Sequence, residues 1–179
     1  MITRCNLPFS CVEWPEFRAF CISLNPQSLD VLPRSGNTIK TRILSTFQLQ
    51  QRVVAKQLQA AKSLIHFTTD TWSSPNHLEM QAITARFVSS EGKLSKALLA
   101  LKELEKGHAG SQTAPHLLQC LIFYGITHKV GYITSDNATA NDTMCDELST
   151  LLAELPTPVV WNAEHYRLRC FGYINNLAI

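Results

Sequence analysis

FTTDTWSS, Phe67 to Ser74, finishes an apolar, β-prone run on a single carboxylate, Asp70, and follows it with Trp72. Packing gives no reason to end a buried strand on an acid. Either Asp70 closes a turn, or it is held at the strand end to bind something cationic. The flanking residues decide how the chain arrives there. Upstream, Ile65 to Asp70 reads as a strand. Downstream, Ser74-Pro75-Asn76 reads as a turn, Leu78 to Val88 as a second strand, and Ser89-Ser-Glu-Gly92 as another turn. Lys93 to Leu101 is read as a third strand, although LSKALLALKEL also suits a helix. Strands joined by such short turns pair antiparallel.

Beyond them the pattern changes. Gly110 to Tyr124 has helical periodicity and is closed by Gly125. Lys129 to Ser135 is a short β-rich run that ends on a second acid, Asp136. Ala138 to Glu154 reads as a helix, broken by Pro156 and Pro158. Tyr166 to Phe171 reads as a final strand, with a further helix starting at Tyr173. Antiparallel strands followed by α-β crossovers predict an α/β fold with a mixed sheet and helices packed on it. Residues 65–179 form this core, and residues 1–64 a separate N-terminal helical segment. In that segment Pro15 to Asn25 fits a short helix, and Thr38 is placed to cap a long amphipathic helix reaching about Leu64. Lys40, Arg42, Arg52, Lys56 and Lys62 lie mostly off its apolar face. They read as a solvated basic side or as a set of phosphate contacts.

Composition narrows the class. Hydrophobic residues make up 45% and charged residues 17%, enough to bury a real core and far from a disordered chain. A net charge of +2 permits a local basic patch without demanding nucleic acid. No run of 18 apolar residues predicts a membrane span, and the first residues lack the apolar stretch of a secretory signal. The chain is therefore expected in a reducing compartment, not secreted. Its cysteines, Cys5, Cys11, Cys21, Cys120, Cys145 and Cys170, are expected as free thiols, and no C-x-x-C pair suggests zinc.

If the first and fourth strands are parallel neighbours, Asp70 and Asp136 converge at one edge of the sheet. Two close anions raise each other's pKa unless a cation sits between them. Hard cations such as Mg²⁺ take oxygen ligands, and paired metal ions serve in-line phosphoryl transfer. The plainer alternative is that Asp70 is a turn residue and that Asp136, in SDNATAND, is a helix cap or an Asx turn.

Four blocks, in order, resemble the hAT superfamily of DNA transposases, in the style of fungal elements. They are LPFSCVEWPEFRAFCISLNP, IHFTTDTWSSPNHLEMQAITARFV, GHAGSQTAPHLLQCLIFYGITHKVGYITSDNATAND and RCFGYINNLAI. The resemblance implies a ribonuclease H-like fold and Mg²⁺- or Mn²⁺-dependent cutting and joining of DNA at transposon ends. Asp70 and Asp136 match the first two acids of the family's D-D-E triad. The resemblance also makes Trp72 a packing residue at the base of the site. Asn137 and Asn141 would hold the second acid's loop or cap the helix behind it. His108 and Gly110 match the H-x-G turn, while Arg169 and Cys170 match the last block, Cys170 as a buried thiol.

Two departures temper that expectation. No residue matches the family's downstream glutamate, so the ribonuclease H-like core is expected to be incomplete and inactive alone, as a truncated element would be. Tyr173 stands where the family has a histidine, and a phenol of pKa ~10 does not replace an imidazole of pKa ~6.5 near neutrality. The alternatives to an enzyme fragment are a non-catalytic module that binds DNA or protein, and a relic without function. A nuclear location follows from a DNA substrate, with the cytoplasm as the alternative. Full-length transposase, as a homo- or hetero-oligomer, is the expected protein partner, and no membrane is involved.

Overall fold

The structure, a computed structural model, describes residues 5–104 and 110–171. The chain divides into two units, Met1–Arg52 and Val53–Ile179.

In the first unit, helix α1 (Pro15–Leu24) starts with proline, whose fixed φ and missing N–H suit a first helical turn. A one-turn helix α2 (Ser28–Val31) follows, then the long helix α3 (Gly36–Gln59), which continues into the second unit. Cys11, Val12 and Ile39 form the small core of the first unit, packed by Leu7 and Phe17. The cap of α3 is Ser35, not Thr38: the Ser35 hydroxyl accepts the Thr38 N–H at 3.3 Å. Gly36, one residue on, donates its N–H to the Glu13 carboxylate at 2.7 Å, so the helix starts three residues earlier than a cap at Thr38 implies. Its other end is Gln59 rather than Leu64. There the Lys129 ammonium bonds the carbonyls of Gln59 (2.6 Å) and Ala61 (2.9 Å), satisfying groups a helix end leaves open.

The second unit is built on five strands: β1 (Ile65–Ser73), β2 (Glu79–Val88), β3 (Leu94–Leu104), β4 (Val130–Ser135) and β5 (Arg167–Arg169). Their spatial order is β3-β2-β1-β4-β5, with β2 antiparallel to its neighbours and β1, β4 and β5 parallel. Helix α4 (Gly110–Tyr124) links β3 to β4, and helix α5 (Thr139–Ala153) leads from β4 towards β5 through the short helix α6 (Ala163–Tyr166). This is the mixed sheet with crossover helices that the order of elements implies.

Two strands are longer than their sequence signals. β1 continues three residues past Asp70, pairing Ser73 with Glu79. What stops near Asp70 is the parallel ladder to β4, whose last pair is Thr68 with Thr134. β3 runs to Leu104 as a strand despite its helix-forming composition, because it pairs with β2 along its whole length.

Alternation gives the sheet two different faces. Ile65, Phe67, Ile83, Ala85, Phe87 and Ile133 point to one side and are buried against Leu117, Leu121, Met144, Leu148 and Leu152 of α4 and α5. On the other side Thr68, Asp70, Trp72, Leu98, Leu101, Tyr132 and Leu168 are exposed. An extra residue in β4, opposite Ile65–Phe67, sets this alternation for the rest of the strand.

That irregularity depends on glycine. A Cβ on Gly131 would lie 2.7 Å from the His66 ring nitrogen Nδ1, which accepts the Tyr132 N–H at 3.0 Å, and 3.1 Å from the Ile65 carbonyl. Gly131→Ala should therefore expel His66 and cost about 1–3 kcal/mol, as overpacking does. The midpoint of urea unfolding, at unchanged slope, measures this; an unshifted midpoint would show that the contact is not tight.

Candidate functional site

Parallel pairing of β1 with β4 brings the two acids of the sequence reading to one place. Thr68 and Thr134 are directly paired, and Asp70 and Asp136 each stand two residues further along. With a side-chain period of two, both acids belong to the exposed face. Thr68, Thr69, Asp70, Thr134, Ser135, Asp136 and Cys170 line a shallow cleft of about 150 Å³ there. A water molecule occupies roughly 30 Å³ of liquid, so the cleft has room for a partly hydrated ion but not for a nucleotide.

The two carboxylates are held differently. The Asp70 side chain is exposed and makes no hydrogen bond or ion pair with a described residue. Asp136 has one anchored oxygen. Its Oδ1 accepts the Ala138 N–H at 2.9 Å, an Asx turn, and the Asn141 side-chain amide at 2.5 Å. The turn alternative is thus realised at Asp136, but Asp136 is not the cap of α5, a position filled by Ala138. The other oxygen, Oδ2, accepts no hydrogen bond from a described residue, and it remains available to a ligand.

Asn141 is buried and holds the acid in place; Asn137 does not, and its Oδ1 is buried with no hydrogen-bond partner among the described residues. Trp72 lies on the exposed face, two residues beyond Asp70, with 39% of its surface accessible rather than packed beneath the site. Cys170 is half-buried in the cleft wall, not in the core, and its N–H bonds the Ser135 carbonyl at 2.9 Å. Arg169 points to the opposite face, where it lies 3.7 Å from the Asp142 carboxylate and 57% of its side chain is exposed. Lys40, Arg42 and Arg52 are exposed in the first unit, as are Lys56 and Lys62 in the second. His108 and Tyr173 lie outside the described residues.

The sequence reading missed Arg167. Its guanidinium donates to the Asp136 carbonyl at 3.2 Å and forms an ion pair with Asp142. Alternation along Arg167-Leu168-Arg169 puts both arginines on the face away from Cys170 but singles out neither.

The donors that line the cleft are the two carboxylates, hydroxyls that include those of Thr68 and Thr134, and the Cys170 thiol, although most of its accessible lining is apolar. Such a set suits Mg²⁺ or Mn²⁺. Among the described residues no group of three His, Cys, Asp or Glu side chains is gathered for a metal ion.

The family model described as the ZBED1 RNase-like domain matches residues 68–160, a span that contains both acids. The Talaromyces stipitatus protein named "Putative transcriptional regulator tpeD" is 29% identical over 180 residues, 99% of this chain and 21% of that protein. The maize "Putative AC transposase" is 23% identical over 171 residues, 95% of this chain and 21% of its own length. The Arabidopsis thaliana "Zinc finger BED domain-containing protein DAYSLEEPER" is 25% identical over 141 residues, 79% of this chain and 20% of its length. The chain thus spans about a fifth of these relatives. No solved structure matches. No helix among the described residues is long and apolar enough to cross a membrane.

Two buried thiols beneath the sheet give the site's surroundings a pH signature. Burial pushes Cys120 up to about 12. Burial also pushes Cys145 up to about 11, against the opposing pull of Arg167. In the unfolded chain both titrate near 9.0. The folded state holds their protons longer, so their contribution to stability should be constant below pH 9 and fall as pH rises towards 11–12. Unfolding free energies of the parent and of Cys120→Ser/Cys145→Ser between pH 8 and 11 test this: the parent should lose more, and equal losses would contradict it.

Proposed function

This chain belongs to the ZBED1 RNase-like domain family, among the hAT-type transposase-related proteins, and from that footing we propose that it carries the first two acids of a metal-dependent site for phosphoryl transfer on DNA. The observation that supports this reading best is the convergence of Asp70 and Asp136 on one exposed sheet face, each with at least one carboxylate oxygen that has no partner among the described residues.

Asp70 and Asp136 would hold Mg²⁺ or Mn²⁺. The ion would supply Lewis-acid polarisation of the scissile phosphate and lower the pKa of an attacking water or 3′-hydroxyl. The residues of this chain do the positioning. Asn141 and the Ala138 N–H fix one oxygen of Asp136, which leaves Oδ2 as the ligand atom. Asp70, unrestrained, can adjust to an ion of either size. Trp72 lines the approach on the same face. No residue among these 179 is assigned as the third carboxylate, the glutamate of the D-D-E pattern. In this reading the protein acts on DNA in the nucleus, alongside a transposase chain. The exposed Lys40, Arg42, Arg52, Lys56 and Lys62 are its phosphate contacts.

A second reading, a non-catalytic module that binds DNA or protein, is favoured by one observation. The relative aligned along 99% of this chain is named as a transcriptional regulator.

Titration of the protein with Mg²⁺ and Mn²⁺ separates the two. The metal-site reading predicts saturable thermal stabilisation, and Mn²⁺ broadening of NMR signals around residues 70 and 136. Asp70→Asn and Asp136→Asn should each abolish both effects while remaining folded. A folded parent that responds to neither ion would overturn the metal site and leave the binding-module reading.

A further inference from the structure

Arg167 is the charged group whose placement stability does not explain. Only 8% of its side chain is exposed. Nη1 is ion-paired with Asp142 in the first turn of α5, and Nη2 donates to the Asp136 carbonyl at 3.2 Å. Nε is buried without a nitrogen or oxygen partner among the described residues, and the guanidinium lies beside the buried Cys145 thiol. Removing a guanidinium from water costs several kcal/mol. A buried ion pair replaced as a whole by apolar residues often leaves a fold as stable, so the pair itself is weak evidence of a stabilising role.

The groups it ties together have one residue in common. The direct bond fixes the main chain of Asp136. The ion pair fixes the first turn of α5, and the residue beside Asp142 there is Asn141, whose amide reaches Oδ1 of Asp136 at 2.5 Å and its carbonyl at 3.5 Å. One route acts on the Asp136 backbone and the other on its carboxylate. Arg169 adds a second, more exposed cation to Asp142 at 3.7 Å, which keeps that carboxylate on the arginine side of the turn.

We propose that Arg167 is a positioning residue for Asp136: it locks the Ser135–Asn141 turn so that Oδ2 of Asp136 faces the cleft shared with Asp70. What this positioning is for rests on the metal-site reading. The positioning itself does not, because Arg167 acts on the main chain of Asp136 and, through Asp142, on the turn of α5 that carries Asn141.

The test uses the 179-residue chain, ¹⁵N-labelled, as parent, Arg167→Met and Arg167→Lys. In folded Arg167→Met, the Asn141 side-chain amide should shift to the positions of exposed asparagines. The Ala138 amide should lose its protection from exchange, while Met144 and Leu148 deeper in α5 keep theirs. The Mn²⁺ dissociation constant should rise about 10- to 100-fold, the usual effect of removing a residue that orients a ligand. Arg167→Lys, which keeps the charge and a donor, should recover part of both signals. If Asn141 and Ala138 are unchanged in folded Arg167→Met, the proposal is wrong. Should Arg167→Met fail to fold, Asp142→Asn releases the guanidinium without removing it; the same loss at Asn141 and Ala138 is expected, and no change there overturns the proposal. A parent that binds no Mn²⁺ would overturn the metal reading, while the NMR comparison still decides what Arg167 does.

Discussion

The parallel pairing of β1 with β4 is the constraint on which the rest depends. Parallel neighbours need a crossover, and here the crossover is the whole segment from β2 through α4. Because the pair Thr68–Thr134 is in register, the two acids that follow come out side by side, 136 − 70 = 66 residues apart in the chain. A slip of one residue would send Asp136 to the core face, among Ile133 and Met144, and bury a carboxylate in apolar surroundings. The irregularity at Gly131 and the buried Ile133–Phe67 pair hold that register. Fold and site are therefore one problem: whatever keeps Phe67 and Ile133 inside keeps Asp70 and Asp136 outside.

The two acids are not equivalent. Asp136 sits at the junction of β4 and α5 and is tied down by Ala138, Asn141 and Arg167. Asp70 belongs to a hairpin strand that runs on to Ser73, and its side chain is untied. One rigid and one adjustable ligand suit an octahedral ion, which demands good geometry but accepts water at its open positions. A purely structural turn would need only the bonds of Asp136 and gives no account of an exposed, unpaired Asp70 opposite it.

Much of the fold was legible because local signals agreed with tertiary demands. Gly110–Tyr124 was readable to its ends: the apolar spacing is helical, and Gly125, at φ 66°, closes the helix. Asp136 was legible as the residue just after a short buried strand. Where the reading fell short, a non-local bond decided. Ser35 displaced Thr38 as cap while Glu13, 23 residues away, took up the Gly36 N–H. Pairing with β2 overrode the helix propensity of Leu94–Leu104. The hairpin carried β1 past Asp70. Arg167 could not be singled out from the strand alone, since its partners, the Asp136 carbonyl and Asp142, meet it only after α5 has folded back. Cys170 was read as core because free cysteines usually are, but alternation with Arg169 turns it to the cleft.

The central claim is that Asp70 and Asp136 form one site for a divalent ion. Crystals grown with Mn²⁺ test it most directly through anomalous diffraction at the manganese edge. The account predicts a peak coordinated by both carboxylates, with Oδ2 rather than Oδ1 of Asp136 as the ligand. A peak elsewhere, or an ordered cleft in which the two carboxylates diverge and share no ion at saturating Mn²⁺, would contradict it.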